Sequence, residues 1–420
     1  MVSTELLLTA FLAISLLASI VSRKAAIPYT ILLVMIGIIL ASTSDPAMAP
    51  VSQAFQSLRQ GGLFVGLILP PLLFESMFSI RTEEFRAVSR PALILATGGV
   101  VVATVVVGLI LWSLSGLPPY TAFIFAALIA PTDAATVLEV FHRINVPSRL
   151  ATLMETESVF NDATGITLLT VVLTGFVAST SGLVFLGAVS DAVVLFGGGI
   201  LVGLIVAWGA RQVQRAIQDP ISQIVLTMTA VYGSYGIATA LGVSGLIAVA
   251  VTGLLYGNTV LFRIEQREIE QMTRDFWSIM AFIANTVAFL FIGFSTNILG
   301  LGGSISFILI AYAVVMVARF ASVYLVLSFP GIASPGVPRS WKNVAMLGGM
   351  RGALSIALVA SLPSTIPGYE TVVNVTFGVV IISILLQGPL LSLYARRTFG
   401  PQQTIPGPVR GLGSGTSPSP

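Results

Sequence analysis

The stretch ETESVFNDATGI (residues 155–166) sets three carboxylates, an asparagine and several hydroxyls into an otherwise apolar region, and the sequence that follows it, TLLTVVLTGFVA (167–178), carries no charge. On insertion scales a charged side chain costs roughly 2.5–3.5 kcal/mol at the centre of a membrane helix. Acidic residues that are kept there usually mark an ion or substrate path. The stretch therefore predicts a polar site inside a membrane-spanning helix.

The composition is that of a polytopic membrane protein built from α-helices. Of the 420 residues, 55% are hydrophobic and 9% are charged, whereas soluble domains carry about 25% charged residues. The chain has no cysteine and one histidine, which excludes disulfides, thiolate metal sites and a multi-histidine metal centre. The net charge of +3 comes mostly from arginines in predicted loops and indicates no nucleic-acid partner.

A membrane-spanning helix needs about 20 mostly apolar residues. We predict thirteen such segments, at residues 4–21, 26–42, 60–79, 91–114, 119–141, 150–179, 186–212, 220–241, 244–260, 272–297, 303–329, 341–363 and 371–396. With the N-terminus outside, the predicted cytoplasmic loops and tail hold all but three of the twenty Lys and Arg residues, as the positive-inside rule requires. The sequence thus predicts an external N-terminus, a transmembrane domain over 1–399 and a disordered cytoplasmic tail over 400–420.

Two predicted spans contain helix-breaking residues. The fifth span includes LIAPTDAATV (128–137), where Pro131 lacks the N–H that an α-helix needs. The twelfth includes LGGMRGALS (347–355), whose glycines weaken a helix and permit unwinding. The two spans run in opposite directions, which is typical of a secondary transporter with inverted repeats and a site near the midplane. We place the repeats at about 4–179 and 220–396.

Six ionisable residues fall well inside predicted spans, away from the helix ends: Glu75, Asp133, Glu157, Asp162, Arg319 and Arg351. The four acids exceed the two bases, so this region carries a net negative charge that suits a cation. Ser158 and Asp162 are four residues apart and share one helix face, while Glu157 and Asn161 share the adjacent one. Carboxylate, hydroxyl and carbonyl oxygens are the ligands of hard cations, and Thr132 and Asp133 add such oxygens at the first interruption.

The pattern alone leaves a second interpretation of these residues open. A membrane aspartate can simply hydrogen-bond to another helix, and Ser158 and Thr132 can do the same. The two arginines are predicted to act structurally, by neutralising Glu157 and fixing Asn161.

Four motifs, in this order along the chain, resemble those of the cation:proton antiporter-1 family, NhaP type: LPPLLFESMF (69–78), ALIAPTDAATV (127–137), ESVFNDATGI (157–166) and GGMRGALSIAL (348–358). The resemblance implies a homodimer of thirteen-helix subunits in the cell membrane that exchanges Na⁺ or Li⁺ for H⁺ by alternating access and needs no cofactor. It implies that the ion ligands are Asp133, Ser158, Asp162, the backbone of Thr132, and Glu75, with Na⁺ held at Asp133, Ser158 and Asp162.

The resemblance also implies a bridge between Glu157 and an arginine, for which Arg351 is the first candidate and Arg319 the second. Asn161 directly before Asp162 marks the subtype that the resemblance links to electroneutral one-for-one exchange. The alternative within the same fold is K⁺/H⁺ exchange. An ion channel and a membrane-embedded enzyme or receptor are further alternatives, but the sequence has no visible pore-loop filter, Walker A motif or HExxH motif.

Overall fold

The computed structural model describes residues 4–25, 28–42, 64–141, 144–177, 182–217, 219–260, 267–296, 302–329 and 337–400. In chain order it comprises α1 (Thr4–Ala25), α2 (Tyr29–Ser42), a π-helical turn (Phe64–Ile68), α3 (Leu69–Ser79), α4 (Thr82–Ile94), a π-helical turn (Leu95–Gly99), α5 (Val100–Ser115), α6 (Pro119–Ile129), α7 (Ala135–Phe141), α8 (Ser148–Val177), α9 (Gly182–Gln214), α10 (Pro220–Ala240), α11 (Gly245–Val260), α12 (Arg267–Phe294), α13 (Ile305–Ser328), α14 (Arg339–Leu347), α15 (Ala353–Ala360), α16 (Tyr369–Ile382), a π-helical turn (Ser383–Gln387) and α17 (Gly388–Phe399). These residues contain no β-strand, which confirms the predicted all-α fold. Apart from Gly400, the predicted tail lies outside the described residues.

Within the described ranges, five helical runs are long and apolar enough to cross a membrane: Thr82–Ser115, Ser190–Gln214, Glu268–Phe294, Ile305–Ser328 and Tyr369–Phe399. Shorter apolar helices lie at Phe11–Ser22, Tyr29–Ser42, Phe64–Ser79, Pro119–Ile129 and Gly245–Asn258. Large apolar side chains such as Leu17, Leu201 and Trp208 are exposed, which suits helices that face lipid. A total of thirteen spans stays a prediction.

The helical conformation stops at both motifs that contain breakers. The chain is irregular between the end of α6 at Ile129 and the start of α7 at Ala135, and again between the end of α14 at Leu347 and the start of α15 at Ala353. The two irregular segments meet, because the backbone N–H of Asp133 donates to the carbonyl oxygen of Met350 at 2.8 Å. Residues far apart in sequence thus come together in the interior.

The helices around these segments pack closely through glycines. Gly37 of α2 and Gly293 of α12 face each other, and a Cβ added to either would lie within 2.5 Å of a backbone oxygen of the opposite helix. Small residues allow such an approach between helix backbones. The contact fixes α12 against α2. Residues of α12 also line an internal cavity.

Candidate ion-binding site

A cavity of about 290 Å³ lies where the two irregular segments meet α3, α8 and α12. Five carboxylates line it: Glu75, Asp133, Glu139, Glu155 and Asp162. In the described part of the chain, no Lys or Arg is among the lining residues. The surplus of negative charge favours a cation as the occupant, since an unpaired charge at membrane depth is costly.

The first irregular segment is tied to α8 by three hydrogen bonds. The Ser158 hydroxyl donates to the carbonyl oxygen of Thr132 at 2.9 Å and accepts from the backbone N–H of Ala134 at 3.0 Å. The Asn161 side-chain amide donates to the Thr132 hydroxyl at 2.7 Å. A carbonyl and a hydroxyl oxygen each have two lone pairs. The oxygens of Thr132 and Ser158 therefore keep one each with which they can bind an ion.

Asp133 lies between two helix starts. Its Oδ1 accepts from the backbone N–H of Ala135, the first residue of α7, at 2.8 Å. Its carboxylate also accepts from the backbone N–H of Ala353, the first residue of α15. The N–H groups at a helix start lack intrahelical partners and attract negative charge. The carboxylate is thus positioned by backbone groups from both sides of the cavity.

Asp162 is placed differently. It is half-buried and lines the cavity, yet no hydrogen bond or ion pair to its carboxylate occurs in the described part of the chain. The carboxylate of Asp133 is close enough to repel it electrostatically. Its negative charge therefore has no partner among the described residues, which leaves a proton or a cation to neutralise it.

Behind the cavity, Glu157 forms an ion pair with Arg319, and both side chains are buried, at 1% and 4% exposure. The guanidinium also donates to the Glu157 Oε2 at 2.9 Å and to the carbonyl oxygen of Ala345 at 2.8 Å. Arg319 reaches Glu157 past Gly349, where a Cβ would lie 2.5 Å from its Nε. The expectation that Arg351 is the first candidate partner is wrong.

Arg351 serves the interrupted helix instead. Its guanidinium donates to the carbonyl oxygens of Ala130 and Pro131, just beyond the end of α6. Because the chain is irregular after Ile129, no N–H of a following helical turn can donate to those carbonyl oxygens. The arginine replaces these donors, since a buried carbonyl without a donor is costly. Asn161 is held by Thr132, so the prediction that an arginine fixes it is also wrong.

The cavity brings together all five residues that were predicted as ligands: Glu75, Thr132, Asp133, Ser158 and Asp162. The predicted bridge residues Glu157, Asn161, Arg319 and Arg351 are buried outside its described lining. Whether the five ligand candidates bind an ion stays a prediction.

Sequence reasoning missed several lining residues, including Glu155, Glu139, Asn285 and Ser355. Glu155 could have been found, because it precedes Ser158 by three residues and Asp162 by seven and so shares their helix face. Its carboxylate accepts a hydrogen bond from Ser76 beside Glu75. Glu139 accepts from the backbone N–H of Tyr29 at 2.6 Å and caps α2, a pairing across the fold that its position in the sequence does not reveal.

Comparison with known proteins identifies the family and the fold of this chain. Residues 9–397 match the model of the transmembrane sodium/hydrogen exchanger family. The chain is 32% identical to the Na⁺/H⁺ antiporter ApNhaP of Aphanothece halophytica over 385 residues, covering 91% of this chain and 72% of that protein. It is 32% identical to the Na⁺/H⁺ antiporter NhaP of Pseudomonas aeruginosa over 359 residues, covering 80% of each chain.

The fold is similar to the solved structure of the sodium proton antiporter MjNhaP1 from Methanocaldococcus jannaschii, with a TM-score of 0.76, 24% identity, and coverage of 94% of this chain and 98% of that one. Because the family match covers nearly the whole chain, this protein belongs to the transmembrane sodium/hydrogen exchanger family, whose members are antiporters and not enzymes.

Proposed function

We propose that the protein exchanges Na⁺ or Li⁺ for H⁺, one for one, by alternating access, and that Asp162 carries the cation and the proton in turn. The observation that supports this most is the carboxylate of Asp162, which lines the acidic cavity without a hydrogen bond or ion pair in the described part of the chain. A carboxylate whose charge is not compensated by the protein can exchange one positive partner for another.

The ion would be held by oxygens that already converge on the cavity. These are the carboxylates of Asp133 and Asp162, the hydroxyl of Ser158 and the carbonyl of Thr132, with Glu75 completing the set. Such oxygens suit a hard monovalent cation. Bound Na⁺ and a proton on Asp162 would compete, so the apparent affinity for Na⁺ would weaken as the pH falls.

The one-for-one ratio rests on the residues beside Asp162. Asn161 cannot titrate, and Glu157 is neutralised by Arg319. Of the five carboxylates that line the cavity, Asp162 is assigned the proton because it alone accepts no hydrogen bond in the described part of the chain. Asp133 is close enough for the two to titrate as a coupled pair. If one Na⁺ binds as one proton leaves, the Na⁺-loaded carrier and the protonated carrier have the same charge.

Alternating access would use the two interrupted spans as moving parts of inverted repeats, at about 4–179 and 220–396, within a thirteen-helix subunit. The backbone hydrogen bond between Asp133 and Met350 supports this use of the two spans, because it links the two irregular segments at the site. A homodimer in the cell membrane, with the N-terminus outside and the C-terminus inside, completes the proposal.

The test uses purified protein in liposomes that contain a pH-sensitive dye and start with an acidic interior. External Na⁺ or Li⁺ should raise the internal pH quickly, because the cation enters as protons leave, whereas K⁺ should not. Protein-free liposomes and Asp162→Asn protein are the controls. A faster response to K⁺ than to Na⁺ would replace the proposal by K⁺/H⁺ exchange, and no response to any of the three would contradict it.

A further inference from the structure

Ser355 is a lining residue of the cavity whose hydroxyl has no assigned use. It lies in the first turn of α15 and is 1% exposed. Its hydroxyl oxygen is shielded from solvent and has no hydrogen-bond partner in the described part of the chain. Buried hydroxyls are nearly always hydrogen-bonded, because leaving one unpaired forfeits its hydration without compensation.

The interruption before α15 explains why the usual partner is missing. Hydroxyls inside helices donate to the carbonyl four residues earlier, as Thr164 does to Phe160 at 3.0 Å and Thr167 does to Ala163 at 2.8 Å on α8. Four residues before Ser355 the chain is irregular, since α15 begins at Ala353. Residue 351 is outside the helix, so the Ser355 hydroxyl has no helical carbonyl four residues earlier as an acceptor. The hydroxyl is therefore available to another partner.

The chemistry of the cavity indicates which partner. Ala353, two residues before Ser355, donates its N–H to the carboxylate of Asp133, so this turn of α15 borders the predicted ion ligands. The described lining is rich in carboxylates and has no Lys or Arg. A hydroxyl oxygen in such surroundings can serve as a neutral ligand for a hard cation.

We propose that Ser355 is a further, neutral oxygen ligand of the transported cation and helps to set the preference between Na⁺ and Li⁺. The inference rests on the proposed function. Serine has a single side-chain torsion with staggered minima, so one rotation redirects the oxygen when an ion occupies the cavity. A neutral ligand adds coordination without adding a charge that a second proton would have to balance.

The experiment compares Ser355→Ala, which removes a hydroxyl, with Thr156→Val, which replaces a hydroxyl with a methyl group. Thr156 is also buried and its hydroxyl has no partner in the described residues, but it lies outside the described lining of the cavity. Ser355→Ala should raise the apparent KM for Na⁺ by about two- to tenfold, the range that one neutral polar contact represents. It should also change the ratio of the KM values for Na⁺ and Li⁺, while Thr156→Val keeps both values.

Thermal unfolding distinguishes a role of Ser355 in cation binding from a purely structural role. Without Na⁺, the Tm of Ser355→Ala should equal or exceed that of the original protein, because no hydrogen bond is lost, whereas the Tm increase on adding Na⁺ should shrink. Ser355→Thr, which restores a hydroxyl, should recover the Na⁺ response. If the alanine variant fails to fold, Ser355→Cys is measured instead, since sulfur is a poor ligand for hard cations.

An unchanged KM, Na⁺-to-Li⁺ ratio and Na⁺-dependent Tm increase in Ser355→Ala would overturn the inference. So would a Tm that is lowered without Na⁺ together with an unchanged KM, because that pattern indicates a structural role. Either result would leave the proposed function intact as long as the unsubstituted protein exchanges Na⁺ for H⁺. Absence of exchange by the unsubstituted protein would instead contradict the proposed function.

Discussion

The Cα of Gly352 lies against the carboxylate of Asp133, so closely that a Cβ on residue 352 would sit 2.0 Å from Oδ2. No side chain fits in that space. Glycine at 352 therefore allows the second irregular segment to approach the first at the point where Asp133 accepts hydrogen bonds from the starts of α7 and α15.

Gly352→Ala should nearly abolish Na⁺/H⁺ exchange. The added methyl group would displace the Asp133 carboxylate from its backbone donors, and a shift of about 1 Å at a site of this kind can cost about a hundredfold in rate. The measurement is the initial rate of internal pH change in dye-loaded proteoliposomes. Gly236→Ala on α10 is the matched control, because nothing lies within 4 Å of a Cβ built there, and it should keep the original rate. Normal exchange by Gly352→Ala would show that the close approach is not required.

Asp162→Asn should abolish exchange while the protein remains folded. The amide can neither release a proton nor offer a full negative charge, and no hydrogen bond to the carboxylate is lost in the described structure. Asp133→Asn should also stop exchange. Exchange rates and Tm values are measured on the same preparations, and substantial exchange by well-folded Asp162→Asn protein would refute the carrier role.

Glu157→Gln should destabilise the protein strongly, because removing one partner of a buried ion pair costs about 3–5 kcal/mol. Replacing Glu157 and Arg319 together should cost less than the sum of the two single changes. A double-mutant cycle of unfolding free energies measures this coupling. The same cycle with Arg351 should show a much smaller coupling, since that side chain bonds to the carbonyls of Ala130 and Pro131. A larger coupling with Arg351 than with Arg319 would contradict the observed pairing.

Glu155→Gln should weaken the apparent affinity for Na⁺ without abolishing exchange. Glu155 places a carboxyl group beside Glu75 and Ser76 in the cavity, but it lies one helical turn from Ser158 and two from Asp162. The Na⁺ dependence of the exchange rate gives the apparent KM. Glu83→Gln is the control, because the Glu83 side chain is 69% exposed on the first turn of α4, and it should leave KM unchanged. Complete loss of exchange by Glu155→Gln would make Glu155 a proton carrier.

Exchange should be insensitive to membrane potential, because the Na⁺-loaded and protonated carriers have the same charge. The test imposes a potassium diffusion potential with valinomycin across proteoliposomes and follows Na⁺ uptake over time. The rates with and without the potential should agree. A clear dependence on voltage would mean that a second proton moves, and Asp133, Glu75 or Glu155 would then have to carry it.

Local rules were enough to predict the elements that hold the site. The long apolar segments predict helices, because about 20 apolar residues span a membrane as a helix that satisfies its backbone hydrogen bonds within the segment. The stop at Pro131 follows from its missing N–H, and α6 ends at Ile129 close to it. The shared face of Ser158 and Asp162 follows from helix periodicity alone, as does the face that Glu155 joins.

The tertiary structure decided which groups meet across helices. Arg319 and Glu157 are 162 residues apart, and both arginines were compatible with Glu157 in the sequence. In the packed structure Arg319 pairs with Glu157, and Arg351 donates hydrogen bonds to the carbonyl oxygens that follow the end of α6. The sequence explained the glycines of LGGMRG by flexibility, whereas the fold uses Gly349 and Gly352 to make room for Arg319 and Asp133.

The sequence by itself therefore determined an all-helical membrane protein with an acidic interior and two interrupted segments, because these features depend on composition and on neighbours within a few residues. Only the tertiary structure decided that Glu157 pairs with Arg319, that Asp162 keeps no partner in the described chain, and that Ser355 lines the cavity. Pairing, burial and free space depend on which helix surfaces pack together, and periodicity within one helix does not specify its neighbours.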